Sequence, residues 1–335
     1  MYARLPLLFI LLCMQSIVST ASAKTIVVLM DGTWNEPDLV SDGQYPQGDS
    51  TNIEKLQYLI SPEGQKVLYF RGVGTDGKQV FKVVDGAFGN TAEERVVEAY
   101  DQVVANFEPG DDLAIFGFSR GAATSRILAR KLHDEGIAGS QPVIRFLGLF
   151  DTVAALGVPR PKLDEFRKKF HDAKARLQIP VEVEHVVHLV AIDEDRALFE
   201  PTLLSLDSSD TKADEVWFSG NHGDIGGGWT KERADEKQLA AIALRYMILA
   251  AESKGIGFVD WQAEVQVPEN GEGTVHSISN VTSLAGGDIV RTLVSFGSDK
   301  PRLHVSVREK YESDSTYRPK QLGSGFGGVI LVDSP

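Results

Sequence analysis

Short apolar runs rich in β-branched side chains recur along the chain, at 25–30, 67–70, 113–116, 143–150, 185–192 and 215–218. Their brevity and their flanking Gly, Pro and Asp residues predict buried strands. Between them lie segments of helical period: Asn52 to Ile60, Ala92 to Asn106 (apolar at Val96, Val97, Tyr100 and Val104), Ala122 to His133, and Leu239 to Lys254. Glu108-Pro109-Gly110 and Gly136 end two of these helices. Strands without polar alternation, separated by helices, predict an α/β fold: a mostly parallel sheet covered by helices on both faces. After about residue 258 the pattern weakens. Ser277 to Val294 fits no single period, and Leu303 to Val307 alternates like an edge strand. Residues 24–335 are read as one domain, with the weak region as its end.

The N-terminus reads differently. Arg4, the apolar run Leu5 to Val18 and the A-x-A ending at Ala23 match a secretory signal peptide over residues 1–23, shorter than a membrane-spanning helix requires. An exported protein, periplasmic or secreted, is expected. Cys13, the single cysteine, lies inside that segment, so neither disulfides nor a thiol nucleophile is expected after cleavage. The formal net charge of −13 disfavours nucleic acid as a partner. The oligomeric state is not legible.

The strand at 113–116 runs into Gly117-Phe118-Ser119-Arg120-Gly121, and a helix of small and apolar residues leaves it. A G-x-S-x-G pentapeptide is weak alone, but between a strand and a helix it describes a sharp turn that exposes a serine hydroxyl. Such a turn fits the nucleophile corner of an α/β-hydrolase, and the plainer alternative is a βα turn with a capping serine. The flanking glycines leave room for neighbouring backbone, and the Arg120 N–H is aimed where an oxyanion would form. An α/β-hydrolase orders its triad as nucleophile, acid, base. Asp151 is the first acid after Ser119 to close an apolar strand, and His222 follows the strand at 216–218 in a glycine-rich loop. Ser119, Asp151 and His222 are therefore the candidate nucleophile, orienting acid and base. Asp224 rivals Asp151, though its closeness to His222 in sequence suits loop structuring better.

The other histidines have plainer readings. His133 closes a helix, where it suits the dipole, and His185 and His188 point to opposite faces of one strand. Gly32 and Thr33, after the first strand, are candidates for the second oxyanion N–H, and equally fit a simple Asp-Gly turn. Residues 160–181 form a lid-like insertion. Leu163, Phe166, Phe170, Ala173 and Leu177 recur at helical spacing among Lys162, Arg167, Lys168, Lys169, Lys174 and Arg176. This segment, 162–177, fits either a membrane-surface contact or a core-packed helix with a charged outer face, the second preferred.

These motifs form an ordered series: Asp31-Gly32-Thr33-Trp34-Asn35, Gly72-Val73-Gly74-Thr75, Gly117 to Ala122, Phe150-Asp151-Thr152-Val153, Asp193-Glu194-Asp195-Arg196 with Phe199 and Pro201, and Trp217 to Gly228. Across about residues 25–255 the series resembles the DUF2235 domain of α/β-hydrolases, which includes the Tle1-type phospholipase effectors of type VI secretion. The resemblance implies Ser119, Asp151 and His222 as catalytic residues and ester hydrolysis on glycerophospholipids. The signal-like N-terminus departs from that pattern, since type VI effectors are not delivered by one. The expected function is an exported serine hydrolase cleaving carboxylic esters of lipids or phospholipids, with no cofactor and no metal. The alternatives are a non-catalytic envelope protein that keeps the fold for binding, and a divalent-metal site on Asp31 and Asp224 that lacks a third ligand.

Overall fold

The computed structural model describes residues 23–32, 50–72, 87–154, 175–229, 238–276, 288–323 and 325–335. Strands β1 (Thr25–Met30), β2 (Gln65–Phe70), β3 (Asp112–Phe118), β4 (Ile144–Phe150), β5 (His185–Ala191), β6 (Lys212–Phe218), β7 (Arg302–His304) and β8 (Ile330–Val332) form one eight-stranded sheet. Its order is β2-β1-β3-β4-β5-β6-β7-β8, and every pairing is parallel. The helices are α1 (Asn52–Leu59), α2 (Ala87–Asn106), α3 (Arg120–Glu135), α4 (His222–Gly226), α5 (Leu239–Glu252) and α6 (Val305–Ser313).

The strands lack polar alternation because both faces are covered. Val27, Leu29, Ala114, Phe116, Phe146, Val187 and Leu189 point to one face, where they bury Ile53 and Leu56 of α1 and the apolar length of α5. Ile26, Val28, Leu113, Ile115, Leu147 and Val186 point to the other, against Val103 of α2 and Leu128 and Leu132 of α3. The period of two thus sorts each strand between two cores. A smaller cluster, with Trp217, Leu303, Val307 and Tyr317, seals the β7–β8 end.

Two expectations need correcting. Leu303 to Val307 is not an edge strand: three residues pair as β7, the chain turns into α6 at Val305, and β8 is the edge. His304 makes that switch, its ring accepting from the Ser306 N–H at 3.2 Å to cap α6. His222 lies not in an open loop but at the first position of the one-turn helix α4. The signal-like segment before Ala23 and residues 155–174 of the lid-like insertion lie outside the described residues. At the insertion's described end, Leu177 is buried beside Ala123 and Ala154. No helix among the described residues is long and apolar enough to cross a membrane.

β1 has β2 on one side and β3 on the other. The strand order therefore reverses beside β1, and the carboxyl ends of β1 and β3 flank the crevice such a switch creates.

Candidate active site

Ser119 stands where β3 hands over to α3, at φ 57° and ψ −119°. A non-glycine residue there is strained, and persists only where its surroundings over-determine it. They do: the Ser119 N–H donates to Phe150 O at 3.0 Å, and Val153 N–H donates to Ser119 O at 3.2 Å. The flanking glycines are sterically required. A Cβ on Gly121 would lie 2.1 Å from Met30 O, and one on Gly117 would lie 2.6 Å from the Ala122 Cα. The corner is thus wedged between the ends of β1 and its own helix. Arg120 opens α3, at the end of the helix that favours negative charge. Its buried guanidinium is pushed down to about 10 by desolvation.

Asp151 ends β4 in a second left-handed conformation, φ 38°. Its N–H donates to Leu189 O at 2.7 Å, and its Oδ1 accepts the Ala191 N–H at 3.0 Å. The carboxylate is thereby aimed across the end of β5 toward β6. There α4 presents His222, and Asn221 and Asp224 form a capping box at its start.

The sequence-chosen trio converges. His222 Nδ1 donates to Asp151 Oδ2 at 2.6 Å, and the Ser119 hydroxyl donates to His222 Nε2 at 2.7 Å. The ring is held on one side by Phe118 (centroids 4.7 Å) and on another, edge to face, by Phe199 (5.0 Å). Ser119 and His222 each retain 7% exposure, whereas Asp151 has none. The acid is sealed, and the hydroxyl and imidazole sit at the rim.

Around this chain lie residues that the sequence reading left without a role. Arg291 grips Asp151 with both terminal nitrogens, Nη1 to Oδ1 at 2.6 Å and Nη2 to Oδ2 at 3.0 Å. Burial alone would raise the Asp151 carboxyl. The Arg291 charge and the His222 hydrogen bond outweigh it, and hold the group well below the usual carboxylate range. Arg291 falls in the stretch of no clear period. One signal was present: it is the single charge between Ile289 and Phe296, and a lone charge in an apolar run is buried only when paired. Glu194, from the acidic stretch after β5, accepts the His222 N–H at 3.2 Å and clasps Arg196 at 2.7 Å through both Nε and Nη2.

The remaining candidates find structural partners. Asp224 accepts from Asn221 N–H, Trp229 Nε1 and His276 Nδ1, which makes it the keystone of the α4 turn rather than the acid of the trio. Asp31 accepts from Thr51 Oγ1 at 2.9 Å and Tyr69 OH at 2.6 Å. The Gly32 N–H, a candidate oxyanion donor, turns back to Asp31 Oδ1 at 2.6 Å and so is already engaged. Thr33 lies outside the described residues. Among the described residues no group of three His, Cys, Asp or Glu is placed to hold a metal ion. His133 reaches Glu182, and His185 and His188 face opposite ways toward Asp214 and Glu215.

Comparison with known proteins agrees with the series of motifs. An uncharacterized protein from Saccharomyces cerevisiae is 26% identical over 240 residues, 54% of this chain and 33% of its own length. The crystal structure of an uncharacterized protein from Pseudomonas aeruginosa superposes with a TM-score of 0.52 at 22% identity, covering 74% of this chain and 48% of that one. The Tle1 effector bound to the VgrG spike of the type 6 secretion system aligns with a TM-score of 0.48 at 19% identity, over 74% of this chain and 77% of that one. This chain thus spans about a third of the yeast relative and about half of the Pseudomonas one. Residues 24–143 and 138–250 match the family described as the catalytic domain of Tle1-like type VI secretion phospholipase effectors, and the chain belongs to that family.

Proposed function

We propose that this protein is a serine hydrolase of carboxylic esters, acting on lipid or phospholipid acyl chains through an acyl-enzyme on Ser119. The observation that carries the reading is the unbroken path Ser119 Oγ, His222 Nε2, His222 Nδ1, Asp151 Oδ2, joined at 2.7 and 2.6 Å from a strained strand-end serine. Such strain is stored at sites that use it. In the first half-reaction Ser119 Oγ attacks the acyl carbon while its proton passes to His222 Nε2, with Asp151 fixing the ring and balancing its charge. The ester carbonyl becomes an oxyanion facing the Arg120 N–H. The Gly32 N–H is engaged by Asp31, which leaves Thr33 as the other candidate for the second donor. The His222 proton then leaves on the alcohol, and water repeats the sequence to release the acid.

Membership of a family described by phospholipase effectors supports lipid esters as substrate. Reading the N-terminal segment 1–23 as an export signal supports action outside the cytoplasm. A fluorophosphonate probe on the purified chain, with mixed phospholipid vesicles assayed for released fatty acid, tests this. Wild type should be labelled and release fatty acid. Ser119→Ala should lose labelling and at least ~10³-fold of the rate. Equal labelling of the two proteins would remove Ser119 as nucleophile.

A further inference from the structure

An arginine fork on the acid of a hydroxyl–imidazole–carboxylate path is not needed for proton transfer, and its presence asks for a reason. Arg291 is buried, at 3% exposure. Beyond Asp151, its Nη1 donates to Ala191 O at 2.8 Å and its Nη2 to Phe199 O. One side chain therefore joins the acid, the end of β5 and the turn that sets Phe199 against the imidazole. Its backbone is pinned beside it: Ile289 N–H donates to Asp195 O at 2.7 Å, and Arg196 bridges Asp288. Residues 288–291 thus fasten onto the acidic stretch after β5 and pass a cation behind the carboxylate.

Resting on the serine-hydrolase reading, we propose that Arg291 is a positioning residue of this site: its guanidinium fork fixes the Asp151 carboxylate toward His222. Three observations support this role over plain packing. The fork meets both carboxylate oxygens. Asp151 is fully buried, and apart from Arg291 its donors among the described residues are the Ala191 N–H and His222. The same guanidinium also bonds the turn behind the ring, at Phe199 O.

The charges facing His222 frame the expected pH response. Asp151 comes from the end of β4, with Arg291 behind it. Glu194, clasped by Arg196, comes from the stretch after β5, and Asp193 lies behind the Gly220 turn. Asp224, on the same short helix, is engaged by His276 and Trp229. Asp224 and Glu194 each have a cationic or ring N–H partner, and Arg291 serves the acid that touches the imidazole. Remove it, and burial pushes the Asp151 carboxyl up. The Asp151–His222 pair then takes up its proton at higher pH, so the acid limb of activity moves toward neutrality.

The test compares wild type, Ser119→Ala, Arg291→Lys and Arg291→Gln in the full chain. It follows the fluorophosphonate labelling rate against pH, and the downfield Nδ1 proton resonance of His222 against pH. Arg291→Gln should label at least about tenfold more slowly at its best pH, with the acid limb raised by about one pH unit. Arg291→Lys, which keeps the charge and loses the fork, should also label more slowly, with its limb near that of wild type. Unlabelled wild type would remove the hydrolase reading, and the resonance would still decide the arginine's role. A folded Arg291→Gln protein whose rate, limb and resonance all match wild type overturns the proposal. Should that variant not fold, Arg291→Lys labelling at the wild-type rate overturns it equally.

Discussion

His222 and His188 each lie against a buried carboxylate, and of these two only His222 is placed to move a proton. His222 donates to Asp151 through Nδ1 at 2.6 Å, and His188, in the middle of the sheet on β5, stands 3.1 Å from Glu215 through the same nitrogen. The difference is on the far side of each ring. His222 Nε2 accepts from a hydroxyl at the rim, whereas His188 Nε2 accepts the Thr152 backbone N–H at 3.0 Å. An amide proton cannot be taken up at ordinary pH, so the His188 path ends there. The carboxylates differ in the same sense. Glu215 is held by fixed amides, accepting Leu204 N–H at 2.7 Å and Phe296 N–H at 3.1 Å, while Asp151 has a guanidinium. A histidine–acid pair is therefore a structural unit until its outer nitrogen meets something that can react.

The sharpest way to break this comparison is to remove each ring. His222→Ala should lower esterase activity by about 10⁴-fold or more. Its stability should change by only about 1 kcal/mol, because Arg291 still satisfies Asp151. His188→Ala should do the reverse. It strands the Thr152 N–H and one side of Glu215 in a dry interior, at a cost of about 3 kcal/mol. Activity per folded molecule should stay within a few-fold of wild type. Urea unfolding beside active-site titration reads both quantities, and a large catalytic loss in folded His188→Ala would merge the two sites into one network.

Exchanging the acids for amides is the next largest effect. Asp151→Asn should lose about 10³- to 10⁴-fold in rate through the wrong imidazole tautomer. It should also lose about 3 kcal/mol or more in stability, because Arg291 is left buried without a counter-charge. Glu215→Gln turns an NH₂ toward donors and should cost about 2 kcal/mol with little change in rate. Equal catalytic losses in the two variants would contradict the division.

The contrast also explains what the sequence could and could not disclose. β1 was legible end to end, and β2 to β6 within a few residues, because each is an apolar run covered on both faces. The Ser119 corner was legible because its steric demands need particular residues at adjacent positions: Gly121 packs on Met30 O. Asp151 and His222 followed from chain order and strand ends. Arg291 did not, since its function depends on a contact 140 positions away in sequence, and no local period records such a contact. β7 and α6 were misread for a related reason. Three strand residues followed by a helix leave an apolar pattern too short for either period, and the switch is made by the His304 cap.

The smallest effect sharpens the comparison where it reaches the acids at strand ends. Asp193, just past β5, accepts from Gly220 N–H at 2.7 Å and Tyr317 OH at 2.8 Å, two neutral donors where Asp151 has a guanidinium. Burial raises its carboxyl to about 6, the opposite direction from Asp151. The signs then differ. Asp151, depressed when folded, supports stability above its unfolded value of about 3.9, and that support is lost as pH falls below it. Asp193, raised when folded, holds its proton more tightly in the native state. Its contribution is therefore complete below about pH 4 and is lost as pH rises toward 6. Asp193→Asn keeps an acceptor for both donors and removes the titration. Compared with wild type, the variant should gain on the order of 1–2 kcal/mol in relative stability between pH 4 and pH 7, discounted for the partial exposure of the side chain. Calorimetric Tm values at those two pH values measure the difference. Parallel Tm curves for the two proteins would show that the Gly220 and Tyr317 bonds neutralise Asp193 as fully as Arg291 neutralises Asp151.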